Sequence, residues 1–314
     1  MDPEEIADRM EDVALGGGRA SRGGKGGRGG RSGGGGGGGS SRGGRGVQLS
    51  KALSRLLRHQ AGSAGIDLDK EGYAPLDKVL QYGPVRSLHP TFSEVLQAVR
   101  ESDKQRFAIK PNPSTNPSLD ETSTEPSHWL IRANQGHSIK LDSEGLLKPI
   151  ALPSPQTGEI PEGSVPIPEV VVHGTYFAFW PKIVESGGLK PMGRNHVHFS
   201  IGLPEDKSGV ISGMRKDAEV LVYVDVEKSL REAEAGDGGG IKWWMSENGV
   251  VLTEGDKDGL VPTRLFREVV GRQQDVGVLM RDGEEVAYLP EGLKIRAPHG
   301  KGRGGGKGGR GGKR

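Results

Sequence analysis

More than half of the chain's 54 glycines sit in two short stretches, Gly16 to Gly46 and Gly300 to Arg314, and that placement limits where a fold can exist. Together the stretches hold 28 glycines, with 7 and 6 Lys or Arg and no acidic residue. They contain almost nothing apolar, so no burial offsets the entropy of ordering glycine. We expect disordered RGG-like arms that touch phosphates in a salt-sensitive, sequence-independent way. A solvated linker that keeps the protein soluble is the plainer alternative. A packed core has to come from residues 47–299.

The net charge of +2 over 314 residues hides a separation. The arms are basic, residues 1–15 carry six acids and one Arg, and the body from Val47 to His299 is left at about −6. With no cysteine, disulfides and thiolate zinc sites are excluded. No apolar run reaches membrane length, and the acidic start lacks a signal-peptide pattern. The expectation is an intracellular soluble protein, nuclear or cytoplasmic, with no membrane partner.

Leu49, Ala52, Leu53, Leu56 and Leu57 form one helical stripe between Val47 and Ala61, ended by Gly62 and Gly65. A second helix is expected from Pro75 through Leu80, halted by Gly83-Pro84, and a third after Pro90 with Thr91 as cap. Strands are expected over 106–110 and 129–133, joined by a Pro/Ser/Thr/Asn-rich loop, 111–127, expected as disordered. Three helices followed by a β-hairpin suggest a winged helix-turn-helix lobe over 47–145. Residues 146–168, rich in proline, read as a linker. Beyond it the chain turns β-rich, with strands expected at 169–173, 196–201, 220–226 and 250–253 and helices at 177–186 and 227–235. The fold class is α+β, with a largely antiparallel sheet over 169–275, an extension over 276–299 and the basic tail from 300.

Arginine and histidine stand out as candidate functional residues. On a helical wheel Arg58 lies opposite the leucine stripe and His59 at its edge, which by periodicity alone reads as a solvated pair near a helix end. Arg132-Ala133-Asn134-Gln135-Gly136-His137-Ser138 follows a strand; its Arg can clamp a phosphate, and its Gly admits close backbone approach. A generic polar turn explains the same residues. His173-Gly174-Thr175 ends an apolar strand, and Arg194-Asn195-His196-Val197-His198 puts two imidazoles on one strand face. With no third ligand close in sequence, a metal is not expected there.

Together these segments resemble the NAD-dependent RNA 2′-phosphotransferases. The match runs through Leu49 to His59, Gly72-Tyr73, Arg132 to Ser138, His173 to Thr175, Gly188-Leu189, Arg194 to Phe199 and Ser246 to Thr253. Order and spacing agree over about 47–262; Gln60 departs from the usual glycine, and the 111–127 stretch and the arms look like additions. The resemblance implies a winged-helix lobe joined to an ADP-ribosyltransferase-like NAD domain. It implies a catalytic set of Arg58, His59, Arg132 and Arg194. NAD contacts would fall on His173, Gly174, Thr175 and the His196/His198 strand, with His198 favoured. Lys51, Asn134, Gln135, His137 and Ser138 would contact RNA or its phosphate.

The implied substrate is tRNA, or another RNA, bearing an internal 2′-phosphate, with NAD as co-substrate and no metal. The implied route passes through an ADP-ribosylated RNA to a 2′-hydroxyl RNA, ADP-ribose 1″,2″-cyclic phosphate and nicotinamide. Guanidinium groups and an imidazolium would stabilise the phosphoryl charge, and His59 would shuttle a proton. Two rivals stay open: an ADP-ribosyltransferase that stops after the first step, and a non-catalytic RNA-binding protein.

Overall fold

The computed structural model describes residues 41–102, 104–203, 214–215, 217–236 and 240–295. The acidic start, most of the first arm and the whole basic tail therefore lie outside the described residues.

The leucine stripe builds helix α1, Ser41–Arg55, which passes into a π turn, Leu56–Gln60, and a 3-10 turn, Gly62–Ala64. Residues 41–46, expected as the end of a disordered arm, are thus helical. Arg45 donates to Glu94 at 2.7 Å and to the His89 carbonyl at 3.0 Å, which ties the start of α1 to a later helix. Strand β1, Ala74–Pro75, leads into α2, Leu76–Gln81, with Pro75 as the residue before the helix. Helix α2 ends before Gly83-Pro84 as expected, with Tyr82 extended, and the same pair opens a short α3, Gly83–Arg86, because proline suits a first turn.

Helix α4, Phe92–Arg100, starts on the expected Thr91, whose side chain accepts from the Glu94 amide while Glu94 returns a bond to the Thr91 amide. Strands β2, Phe107–Pro111, and β3, Trp129–Ala133, complete an antiparallel sheet in the order β1-β3-β2. One apolar core fills this lobe, including Leu53, Leu56, Leu57, Leu76, Val79, Val95 and Ile131.

The expected disordered loop, 111–127, is instead folded on itself. Asn112 and Asn116 are buried; the Asn116 side chain bonds the Asp120 amide and carbonyl, and Thr115 donates to the Ser127 carbonyl. Asparagine mimics a backbone turn, so a polar composition alone does not imply disorder.

A short α5, Ser143–Leu146, and β4, Lys148–Pro149, follow. The stretch expected as a linker is therefore partly sheet, and the Ile150 amide also bonds the Trp243 carbonyl. The second lobe continues with β5 (Val172–Thr175), α6 (Trp180–Glu185), β6 (Gly188–Leu189) and β7 (Val197–Phe199). Then come β8 (Val220–Val224), α7 (Val226–Glu234), β9 (Trp244–Met245), β10 (Val251–Thr253) and β11 (Val261–Pro262). Strands β12 (Phe266–Gly271), β13 (Gly277–Arg281) and β14 (Glu284–Glu285) close the order.

The sheets run β14-β13-β12-β8-β5 and β4-β9-β10-β7, with β11 and β6 pairing separately, and every strand pair is antiparallel. Residues 276–299, expected as an extension, thus supply β13 and β14 to the central sheet. The core between the two sheets includes Phe177, Phe199, Val222, Trp243, Phe266 and Leu279. A smaller cluster joins Leu146 and Leu147 to Trp244, Val250 and Leu252. The whole is a mixed α and β protein built on antiparallel sheets. No helix among the described residues is long and apolar enough to cross a membrane.

Candidate active site

The π turn carries Arg58 and His59 into the interior. A π turn adds one residue to a helical circuit, and here Leu56, Leu57 and Arg58 are all buried in succession. Arg58 is only 1% exposed, where the helical wheel placed it in solvent. The loop after β3 closes over it: the amides of Ser138 and Ile139 both donate to the Arg58 carbonyl, at 3.0 and 3.2 Å. Gly136 crosses directly above the guanidinium at φ +89, a backbone conformation that disfavours any side chain. His59 Nδ1 and Ser138 Oγ lie 2.9 Å apart.

The second lobe grips the same loop from the other side. The Asn195 amide donates to the His137 carbonyl at 2.9 Å, and its side chain donates to the Ile139 carbonyl at 2.7 Å. Arg194 precedes Asn195 in the turn before β7, which brings it near Arg58. Burial pushes the Arg58 guanidinium down to about 9, and the charges of Arg194 and Arg106 push the same way. Like charges collected out of water are held at a cost that an anion placed among them would relieve.

His137, His173 and His198 are held neutral by burial. His137 is driven down to about 3 by burial, helped by Arg58, His196, His59 and Arg132. His198 lies well below the usual imidazole value, through burial and then Arg194 and His196, and burial also lowers His173. His198 Nδ1 lies 2.9 Å from the His196 carbonyl, and His173 Nδ1 lies 2.9 Å from the His198 carbonyl. A carbonyl oxygen only accepts, so each neutral ring donates there from Nδ1 and keeps a lone pair on Nε2. His198 Nε2 and His137 Nε2 are closed off from water and have no partner among the described residues. His196 is anchored instead: Ser143 Oγ lies 3.0 Å from its Nε2 and donates to Glu254 at 2.6 Å. Burial lowers His196 while Glu254 opposes the shift.

Other expected residues take more varied places. Arg132 Nη2 donates to Glu247 at 2.7 Å, Nη1 donates to the Glu71 carbonyl at 3.0 Å, and the guanidinium stands over the Tyr73 ring. Asn134 bonds the Gln105 carbonyl and so locks the end of β3, while its Oδ1, with Gln135 Oε1, is buried and unpartnered among the described residues. Gly174 packs where a Cβ would come within 2.4 Å of Met214. Thr175 is buried at the end of β5, and Lys51 is half-buried on α1, two helical turns before Arg58. Sequence reasoning missed Arg106, Asn195, Glu247 and the Ser143–Glu254 pair. Only Asn195 and Glu247 stood inside quoted motifs, and nothing in one sequence pairs residues 115 apart.

Guanidinium groups suit anionic oxygens, whereas the buried lone pair of His198 suits a hydroxyl or amide hydrogen. A phosphorylated sugar is one ligand that carries both kinds of group. Among the described residues no group of three or more His, Asp or Glu could hold a metal ion. A cluster of buried cations beside neutral imidazoles is chemistry suited to handling phosphoryl groups. The chain belongs to the RNA 2′-phosphotransferase, Tpt1 / KptA family, whose model matches residues 44–255. It is 40% identical over 225 residues to the tRNA 2′-phosphotransferase 1 of Bos taurus, covering 71% of this chain and 75% of the relative. Identity to the tRNA 2′-phosphotransferase of Saccharomyces cerevisiae is 36% over 226 residues, 71% of this chain and 83% of the relative. A bacterial relative, the probable RNA 2′-phosphotransferase of Rhizobium johnstonii, is 28% identical over 207 residues, 66% of this chain and 88% of its own length.

Proposed function

We propose that this protein removes the splice-junction 2′-phosphate from tRNA, with NAD consumed as co-substrate. The observation that carries the reading is the meeting of Arg58 and Arg194 beside the buried, unpartnered Nε2 atoms of His137 and His198. The first lobe is read as a winged-helix RNA-binding module and the second as an ADP-ribosyltransferase-like domain. Helices α1 to α4 followed by the β2–β3 hairpin support the first assignment; the placement of His173-Gly174-Thr175 on β5 next to the histidine strand β7 supports the second. The Gly/Arg-rich arms add RNA affinity.

In the first step an oxygen of the RNA 2′-phosphate forms a bond to C1″ of the NAD ribose. The bond from C1″ to nicotinamide breaks, and nicotinamide leaves with the electron pair. The nucleophile is already anionic, so the protein's task is orientation rather than deprotonation. In the second step the ribose 2″-oxygen attacks phosphorus and its proton is taken up. The bond from phosphorus to the RNA 2′-oxygen breaks, and that oxygen leaves protonated. The products are a 2′-hydroxyl RNA and ADP-ribose 1″,2″-cyclic phosphate.

Arg58, Arg132 and Arg194 hold the transferring phosphate and stabilise its charge. His59, oriented by Ser138, moves a proton. The neutral His198 accepts from a ribose hydroxyl or the carboxamide of NAD, which differs from a charged imidazole at the phosphate. Incubation with NAD and a short RNA bearing one internal 2′-phosphate, resolved by mass, is expected to give dephosphorylated RNA and the cyclic product. Arg58→Ala and Arg194→Ala should each lower kcat/KM by about 10- to 150-fold, the worth of a charge-assisted hydrogen bond. Accumulated ADP-ribosylated RNA would mean that the enzyme stops after the first step, and RNA binding without reaction would make it a binding protein.

A further inference from the structure

Glu247 lies in the turn between β9 and β10, on the second lobe, yet its carboxylate meets Arg132 of the first. The turn is built before Arg132 arrives. Ser246 Oγ donates to Asn248 Oδ1 at 2.8 Å and accepts from the Val250 amide at 3.0 Å, and the Gly249 amide closes onto the Ser246 carbonyl. Asn248 then crosses between the lobes and donates to the Lys104 carbonyl at 2.8 Å. Glu247 is therefore offered from a fixed platform.

Arg132 is held on three sides. Glu247 takes Nη2, the Glu71 carbonyl takes Nη1, and the Tyr73 ring lies beneath with its centroid 4.7 Å from Cζ. Lys110 occupies the same ring at 4.1 Å and bonds Glu71 Oε2 at 2.7 Å, so that floor is itself pinned. Of the remaining N–H groups, Nε–H is the one on a nitrogen that is closed off from water and has no partner among the described residues. A guanidinium gripped at both Nη groups is held against swinging, with its buried Nε–H unpaired among the described residues. The pair adds little to stability, because Glu247 is 57% exposed against 11% for Arg132. Its effect belongs to orientation.

We propose that Glu247 is a positioning residue that reaches across the cleft to fix Arg132, aiming Nε–H at the transferring phosphate. The assignment rests on the reading of Arg132 as a phosphate contact. It makes assembly of the two lobes part of the catalytic geometry, since the arginine and its holder come from different lobes. The competing arrangement has the phosphate displace Glu247 from Nη2, which makes the carboxylate an inhibitor.

The test compares Glu247→Ala, Glu247→Gln, Arg132→Ala and the Glu247→Ala/Arg132→Ala double variant, each for kcat, KM for the 2′-phosphorylated RNA and Tm. Glu247→Ala is expected to lower kcat by roughly 10- to 100-fold, the scale of a misplaced catalytic group, with a smaller change in KM and an unchanged Tm. Gln keeps an oxygen that accepts the same hydrogen bond, so Glu247→Gln should recover most of the activity. In the Arg132→Ala background the second substitution should change nothing further. A Glu247→Ala enzyme that is as active as the parent or binds RNA more tightly overturns the proposal, as do losses that multiply with those of Arg132→Ala. A Tm loss shared by the Ala and Gln variants, matched by their activity losses, overturns it too. Should Arg132→Ala itself keep normal turnover, the reading of Arg132 fails and the proposal with it; failure confined to Glu247 leaves that reading standing.

Discussion

Arg58 carries a formal charge in a place with no water to share it. Its guanidinium sits at about 9 because burial disfavours the charged form and two neighbouring arginines add repulsion. A bound dianion reverses the second effect and offsets part of the first, so the group is held more tightly charged in the complex than in the free enzyme. The pH profile should separate the two states, because kcat/KM reports groups of the free enzyme and kcat those of the complex. An alkaline limb near pH 9 is expected in kcat/KM, moved upward or absent in kcat. A kcat/KM profile flat to pH 10 would show that Arg58 does not titrate there. The helical wheel could not place this residue: it assigned Arg58 to solvent, and only the Ser138 and Ile139 amides, 80 residues away, show why the site is interior. His59 is similar, since its partner Ser138 was visible in the sequence but their 2.9 Å approach was not.

At the scale of elements, legibility followed the strength of the local signal. Strand β3 fell on its expected residues, and α4 began on its expected cap, because Trp-Leu-Ile and Thr-x-x-Glu are strong local instructions. The strands from β12 to β14 received no assignment from the sequence, and register shifts in β12 break the two-residue alternation that would have marked it. The π turn was likewise hidden, since loop contacts rather than propensity distinguish it from an ordinary helix end. Strand β6 rests on a constraint that was legible only as a glycine within a motif. Gly188 sits at φ +156, and a Cβ there would come within 2.1 Å of the Val261 carbonyl oxygen. Gly188→Ala must part β6 from β11, and we expect a loss of about 3 kcal/mol or more in urea unfolding. Because β6 leads into the turn that presents Arg194, activity measured well below the unfolding transition should fall as well. An alanine variant of parental stability would mean that the strand pair shifts freely.

Across the whole molecule, the two large apolar cores are separate, and polar contacts such as Arg132 to Glu247, Asn195 to Ile139 and Asn248 to Lys104 join the segments that form them. That arrangement gathers four histidines, His137, His173, His196 and His198, whose folded states all disfavour the proton. The unfolded chain takes protons at the ordinary imidazole value, so the sign is fixed. Stability is full above about pH 6.5 and falls as pH drops below it. For His137 the loss continues toward its folded value of about 3. At pH 5 that residue alone should cost about 2 kcal/mol, and the other three act in the same direction. Urea midpoints measured at pH 7.5 and pH 5 should therefore differ clearly, and His137→Asn, which has nothing to titrate, should flatten the dependence. The same titration should reach the cleft first, because protonating His137 or His198 places a cation beside Arg58 and Arg194. Loss of the contacts across the cleft should then precede loss of either core, with activity failing at a higher pH than secondary structure. A midpoint constant from pH 7.5 to 5 would require these rings to be solvated in the folded protein, and would remove the buried lone pairs on which the reading of the site depends.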